Sequence, residues 1–226
     1  MKKVEIYGDS ILKCITYSGE NGKYSICREG RPDTLSELGI EVNNRCRMGA
    51  TIEDGFKKAR LKADTWDEDT FILLEYGGND CNHNWKEISE HPEREAYPNI
   101  SAETFTETYR SFISLAREKG AFVALATLIP LDSDKFFNWI SKGLSGENIL
   151  KWLGDREMLY RWHEYYNDMI RSIASEFDCM LVDLRSRFLR LHNFKSLICA
   201  DGIHPTKEGH MIIRDAITSE IAEVMA

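Results

Sequence analysis

Three short runs of this chain, residues 70–76, 121–128 and 179–184, are apolar at nearly every position rather than at every second one. A strand with one wet face alternates, whereas a strand covered on both faces does not, so these runs require a sheet with helices packed on both sides. Two further strand-like segments, 3–7 and 40–45, precede them. Between the strands the spacing changes. Phe105, Tyr109, Phe112, Ile113 and Ala116 recur at three and four, behind an N-cap at Ser101 and before a stop at Gly120. Leu159, Trp162, Tyr166, Met169, Ile170 and Ile173 repeat the pattern, as do Ile213, Ala216, Ile217, Ile221 and Val224. Strands alternating with helices predict an α/β protein, doubly wound, with a five-stranded parallel sheet in a three-layer α/β/α sandwich. At 226 residues, with no linker-like stretch and no repeat, the chain is expected to form a single domain over 1–226.

Charge and composition narrow the partners. A net charge of −8 with scattered Lys and Arg argues against nucleic acid, which selects a basic stripe. No apolar run is long enough to span a bilayer. Met1-Lys2-Lys3 has the charge of a signal peptide start, but Glu5 and Gly8-Asp9 interrupt the apolar stretch that must follow, so the expected location is cytoplasmic. Cys14, Cys27, Cys46, Cys81, Cys179 and Cys199 contain no C-x-x-C pair and are expected to be free, mostly buried thiols. Asp80, His83 and His91 lack an ordered ligand pattern, so neither a metal nor another cofactor is expected.

In open α/β sheets ligands bind beyond the carboxyl ends of the strands. Four segments reach that edge: Gly8-Asp9-Ser10 after the first strand, Met48-Gly49 after the second, Gly77-Gly78-Asn79-Asp80 after the third, and Asp201-Gly202-Ile203-His204-Pro205 shortly after the fifth. Taken singly, each reads as an ordinary turn or helix cap. Together they supply a serine hydroxyl, an imidazole to take its proton and a carboxylate to fix the imidazole tautomer, the three groups that serine acyl transfer requires. Ser10 is the expected nucleophile, at the end of a strand and before a helix. His204 is the expected base, just outside the N-terminus of the last helix because Pro205 disfavours helical geometry before it. Asp201 is its orienter, with Gly202 allowing the tight turn between them. The Ser10 N–H, the Gly49 N–H and the Asn79 amide are candidate oxyanion donors. His210, farther along the last helix, is assigned to structure. A phosphate-binding loop is discounted because G-x-x-x-x-G-K-[ST] is absent.

These four blocks, in order and over nearly the whole chain, resemble the sequence blocks of the SGNH (GDSL-type) esterase and lipase superfamily. The resemblance implies a flavodoxin-like sandwich, with Ser10 as nucleophile, His204 as base, Asp201 as its partner, and Ser10, Gly49 and Asn79 as the oxyanion hole. Two of the blocks depart from the pattern: Leu12-Lys13-Cys14 stand where a small residue and a glycine are common, and Arg47 stands where Asn is common two before the glycine. The α/β-hydrolase alternative needs a G-x-S-x-G elbow, and no serine here has one.

The function expected is hydrolysis of a small-molecule carboxylic ester through an acyl-enzyme. A short acyl group, acetyl above all, on a carbohydrate or related molecule is favoured because no continuous aliphatic stripe is visible. A lysophospholipase or thioesterase acting on longer chains is the enzymatic alternative, and a non-catalytic ligand-binding module is the alternative from another class. Two long polar-aromatic stretches, 81–100 and 131–154, leave the functional edge and are expected to be loops that wall the pocket. Their tryptophans would serve equally as core or as a homo-oligomer interface.

Overall fold

The computed structural model describes residues 2–32, 34–37 and 39–225. Among the described residues, seven strands, β1 (Lys3–Gly8), β2 (Ile15–Ser18), β3 (Lys23–Ile26), β4 (Glu41–Asn44), β5 (Thr70–Glu75), β6 (Phe122–Ala126) and β7 (Met180–Val182), form two sheets. The main sheet has the order β4-β1-β5-β6-β7, parallel at each pairing, with Ile6 opposite Leu73 and Ile72 opposite Val123. The helices are α1 (Thr34–Glu37), α2 (Ile52–Arg60), α3 (Trp85–Glu90), α4 (Ala102–Glu118), α5 (Ser133–Ile140), α6 (Gly146–Leu153), α7 (Glu157–Glu176), α8 (Leu184–Leu189) and α9 (Lys207–Met225).

The apolar runs have the cause that their pattern implied. Along β5 successive side chains point to opposite faces, and both faces are covered. Ile72 and Leu74 pack with Phe112 and Ile113 of α4 and Tyr166 and Ile170 of α7. Phe71 and Leu73 pack with Leu184 and Phe188 of α8 and Ile213 and Ile217 of α9. The result is a three-layer α/β/α sandwich. Its strand order reverses direction at β1, which has β4 on one side and β5 on the other, so a crevice opens between the carboxyl ends of β1 and β5. Ser101 caps α4 by accepting the Thr104 N–H at 3.1 Å, and Gly120, at φ +84°, follows the helix end.

Three expectations are corrected. The segment after Ser10 is a turn, not a helix: Ile15 N–H donates to Ser10 O at 2.9 Å, Cys14 takes φ +62°, and the chain reverses into β2. The antiparallel β2–β3 hairpin was not foreseen, although Tyr17 and Tyr24 pair across a turn that contains Asn21-Gly22, a hairpin signal. The stretches 81–100 and 131–154 are not structureless, since they hold α3, α5 and α6, capped by Asn84, Asp132 and Ser145. These short helices build a third apolar cluster with Leu131, Phe137, Ile149 and Leu159.

His210 has the structural place expected of it. It is buried in α9 and its Nε2–H donates to Ile15 O at 2.8 Å, tying the start of the hairpin to the helix. Burial pushes its pKa from 6.5 down to about 4. The unfolded chain therefore binds this proton first as the pH falls, and stability is lost from the unfolded pKa downward through the folded one. From about pH 7 to about pH 5 this group alone is expected to remove about 2 kcal/mol. Denaturant melts of the wild type and His210→Gln at both pH values check this: the stability gap between them should narrow on acidification, and a constant gap would contradict it.

Candidate active site

The hydrogen-bonded chain is continuous. Ser10 Oγ lies 2.9 Å from His204 Nε2, and His204 Nδ1 lies 2.6 Å from Asp201 Oδ2. A carboxylate can only accept, so Nδ1 carries the proton and Nε2 is left with its lone pair towards the hydroxyl. Asp201 Oδ1 accepts the backbone N–H groups of Ile203 (3.2 Å) and His204 (3.1 Å), so the carboxylate also shapes the loop that carries its partner. All three residues are buried. The loop is held in place by Gly202, at φ +81°, whose carbonyl accepts the Asp132 N–H at 2.9 Å. Helix α9 begins at Lys207. Thr206 caps it, its Oγ1 accepting the Gly209 N–H at 3.3 Å, so His204 stands outside the helix as expected. The unforeseen hairpin brings the Tyr24 ring edge-on to His204, 5.2 Å between centroids.

The candidate oxyanion donors are placed unequally. Ser10 and Asn79 line one cavity with a volume of about 370 Å³. Gly49 lies outside the lining, in an exposed turn at φ +74° where a Cβ would meet nothing within 4 Å. It is nevertheless adjacent to the site, because the Asn79 Nδ2 amide donates to the carbonyl of Ala50 at 3.1 Å. The other amide hydrogen goes to Asp9 Oδ2 at 2.9 Å. Arg47 does not line the cavity; it pairs with Asp54 in the first turn of α2 at 2.7 Å. Trp139 stacks on Phe136 in the third cluster rather than lining the cavity.

The cavity walls are mainly apolar: Leu128, Leu131, Phe136, Trp152, Leu159 and Trp162 come from four separate parts of the chain. Cys81 lines it too, with its thiol pKa pushed up by burial. Two histidines face it that the sequence did not single out for this site. His83 sits among the rings of Trp85, Trp152 and Trp162, at 5.5, 5.1 and 5.8 Å, and burial lowers its pKa to about 4. His163 accepts from Arg185 Nη1 at 3.5 Å through Nδ1, and burial, then the Arg185 charge, lowers its pKa to about 3. Both are neutral at physiological pH. Among the described residues, the lining carries no lysine or arginine.

A parallel α/β/α sandwich with serine, imidazole and carboxylate joined at the switch point of its sheet defines a class of protein, one equipped for acyl transfer rather than for binding a nucleotide phosphate. The chain belongs to the GDSL-like lipase/acylhydrolase family, whose model matches residues 6–212. An uncharacterized lipoprotein, YqeF of Bacillus subtilis, is 25% identical over 196 residues, 81% of this chain and 74% of that protein. Among solved structures, a lipase/acylhydrolase from Enterococcus faecalis superposes with TM-score 0.65 at 20% identity, covering 98% of this chain and 95% of that one. A catalytic mutant of an acetylxylan esterase from Geobacillus stearothermophilus gives 0.66 at 20% identity, covering 97% and 94%. A member of the lipolytic G-D-S-L family from Veillonella parvula gives 0.65 at 17%, covering 98% and 99%. At these identities the structural likeness speaks for the fold.

Proposed function

We propose that the protein is a serine esterase that hydrolyses neutral carboxylic esters through an acyl-enzyme. The observation that carries this reading is the unbroken Ser10–His204–Asp201 chain at the wall of an apolar cavity. Ser10 Oγ attacks the ester carbonyl carbon while His204 Nε2 takes the hydroxyl proton, and Asp201 stabilises the imidazolium that forms. The oxyanion is met by the Ser10 N–H, by the Asn79 amide exchanging its bond to the Ala50 carbonyl, and by the nearby Gly49 N–H. As the tetrahedral intermediate collapses, His204 returns the proton to the departing alkoxide and the acyl group stays on Ser10. Water then attacks by the same route, His204 taking its proton and returning it to Ser10 as the acid leaves.

The cavity modifies the substrate expected from sequence. The aliphatic surface missing as a contiguous stripe is assembled from Leu128, Leu131, Leu153 and Leu159, and its volume of about 370 Å³ exceeds what an acetyl group fills. With neutral imidazoles and no facing cation, it suits an uncharged apolar chain or ring of intermediate size. The p-nitrophenyl esters from acetate to dodecanoate test both levels. The fastest kcat/KM is expected at butyrate to octanoate. A maximum at acetate would restore the acetyl-esterase reading, and one beyond octanoate the lysophospholipase or thioesterase reading. A fluorophosphonate probe should label Ser10; a folded sample that resists labelling would point to a binding module.

A further inference from the structure

Beside the Ser10 turn lie two carboxyl groups that the acyl-transfer steps do not use. Asp9 and Glu75 are 2% and 1% exposed, line the same cavity, and hold their carboxyl groups close enough to interact directly. Asp9 Oδ1 accepts the Ile11 N–H at 2.8 Å, and Oδ2 accepts the Asn79 amide at 2.9 Å. Glu75 closes β5 directly opposite Gly8; the Asp9 backbone N–H approaches its carboxyl, while its Oε2 has no hydrogen-bond partner among the described residues. Two ionised carboxylates can only accept, so a hydrogen bond between them requires one proton. Asp9, which receives two N–H groups, is the better carboxylate, and Glu75, which receives only the Asp9 backbone N–H, is the better acid.

The surroundings enforce that assignment. Asp80 from the loop after β5, Cys46 from the loop after β4, Tyr76 beyond β5 and Tyr109 from α4 face this pair, and His204 faces Asp9. None of these is a permanent cation. Burial pushes Glu75 well above the usual carboxylate range and Asp9 to about 6. Asp80, likewise buried, is pushed to about 7, so a second negative charge here would be opposed from two sides. The space is closed as well: a Cβ on Gly8 would stand 3.3 Å from Glu75 Oε2 and 3.2 Å from Cys46 Sγ.

We propose that Glu75 is a positioning residue, a carboxylic acid that stays protonated and donates to Asp9, so that the Asp9 carboxylate holds the Asn79 amide in place for the oxyanion. The proposal rests on the esterase reading for the role of Asn79, but the proton on Glu75 is measurable without it. Glu75→Gln keeps a donor, Glu75→Leu removes it, and Asp9→Asn removes the charge and replaces one of the two acceptor oxygens by a donor amide. With the best aryl ester, Glu75→Gln should keep kcat within about threefold, whereas Glu75→Leu and Asp9→Asn should lower kcat by roughly 10²-fold, the usual cost of a lost oxyanion donor, with KM little changed. Infrared difference spectra at neutral pH should show a protonated carboxyl band in the wild type that disappears in Glu75→Gln.

The reverse pattern, with Asp9→Asn active and Glu75→Gln impaired, would move the proton to Asp9 and overturn the assignment. Equal losses in Glu75→Gln and Glu75→Leu would overturn it too. Should Glu75→Leu fail to fold in a thermal melt, the Gln and Asn pair and the infrared band decide. A wild type inert to every ester would remove the oxyanion role along with the esterase reading, and the band would then test the shared proton alone.

Discussion

Ser10→Ala is expected to lower kcat on p-nitrophenyl butyrate by at least about 10⁴-fold while leaving the thermal melt within about 1 kcal/mol of the wild type. The large effect follows from the position of the hydroxyl, 2.9 Å from the free nitrogen of an imidazole whose other nitrogen is fixed by Asp201 at 2.6 Å. Removing one oxygen takes away the atom to which the acyl group would be joined, and nothing else in the cavity can replace it. Cys81, the other nucleophile type in the lining, has a thiol kept protonated by burial. The small structural effect follows from the same geometry. Ser10 sits in a turn secured by backbone bonds and by the Asp9 carboxylate, and the Asp201–His204 pair keeps its mutual bond without it. Turnover unchanged in Ser10→Ala would reject the assignment outright.

Gly202→Ala is expected to be nearly as damaging, by a different route. A Cβ at this position would stand 2.2 Å from Phe136 N, 2.6 Å from Phe136 Cα and 2.7 Å from Asp132 O. All three are backbone atoms at the start of α5, with no rotamer to relieve the clash, and the φ of +81° adds its own strain. A loss above about 3 kcal/mol is expected, or failure to fold, with ester turnover falling even where the variant remains folded because Asp201 and His204 flank the displaced residue. Gly154→Ala is the control. It shares a φ of +80° but meets nothing within 4 Å, so it should show the backbone strain alone, about 1–2 kcal/mol, with turnover retained. Equal melting shifts in the two variants would mean that the contact with α5 contributes nothing.

What could be read in the sequence, and what could not, divides along the range of the interactions. The five main strands and the helices α4, α7 and α9 were legible because Phe71–Leu74 and the Phe105, Tyr109, Phe112 spacing are local patterns forced by the layers above and below. Ser10, Asn79, Asp201 and His204 were legible as a group because strand ends place them on one edge. The cavity was not, since Leu128, Phe136, Trp152 and Leu159 are neighbours only after α5, α6 and α7 have packed. Helices α3, α5 and α6 have six to eight residues each, too short for their periodicity to stand out from a polar, aromatic stretch. Glu75 was hidden for another reason. At the end of an apolar strand it reads as the first solvent-facing residue, whereas it is buried against Asp9.

The bond from Asp132 N–H to the Gly202 carbonyl has a consequence for traffic through the site. Helix α5 supplies Phe136 to the cavity wall, and it is locked to the loop that carries Asp201 and His204 through this bond and through Lys135 Nζ, which donates to Ile198 O at 2.8 Å. A wall fastened to the proton relay cannot swing aside to admit a guest without disarming the chemistry it encloses. Tyr97, 70% exposed, and Pro98 line the same cavity.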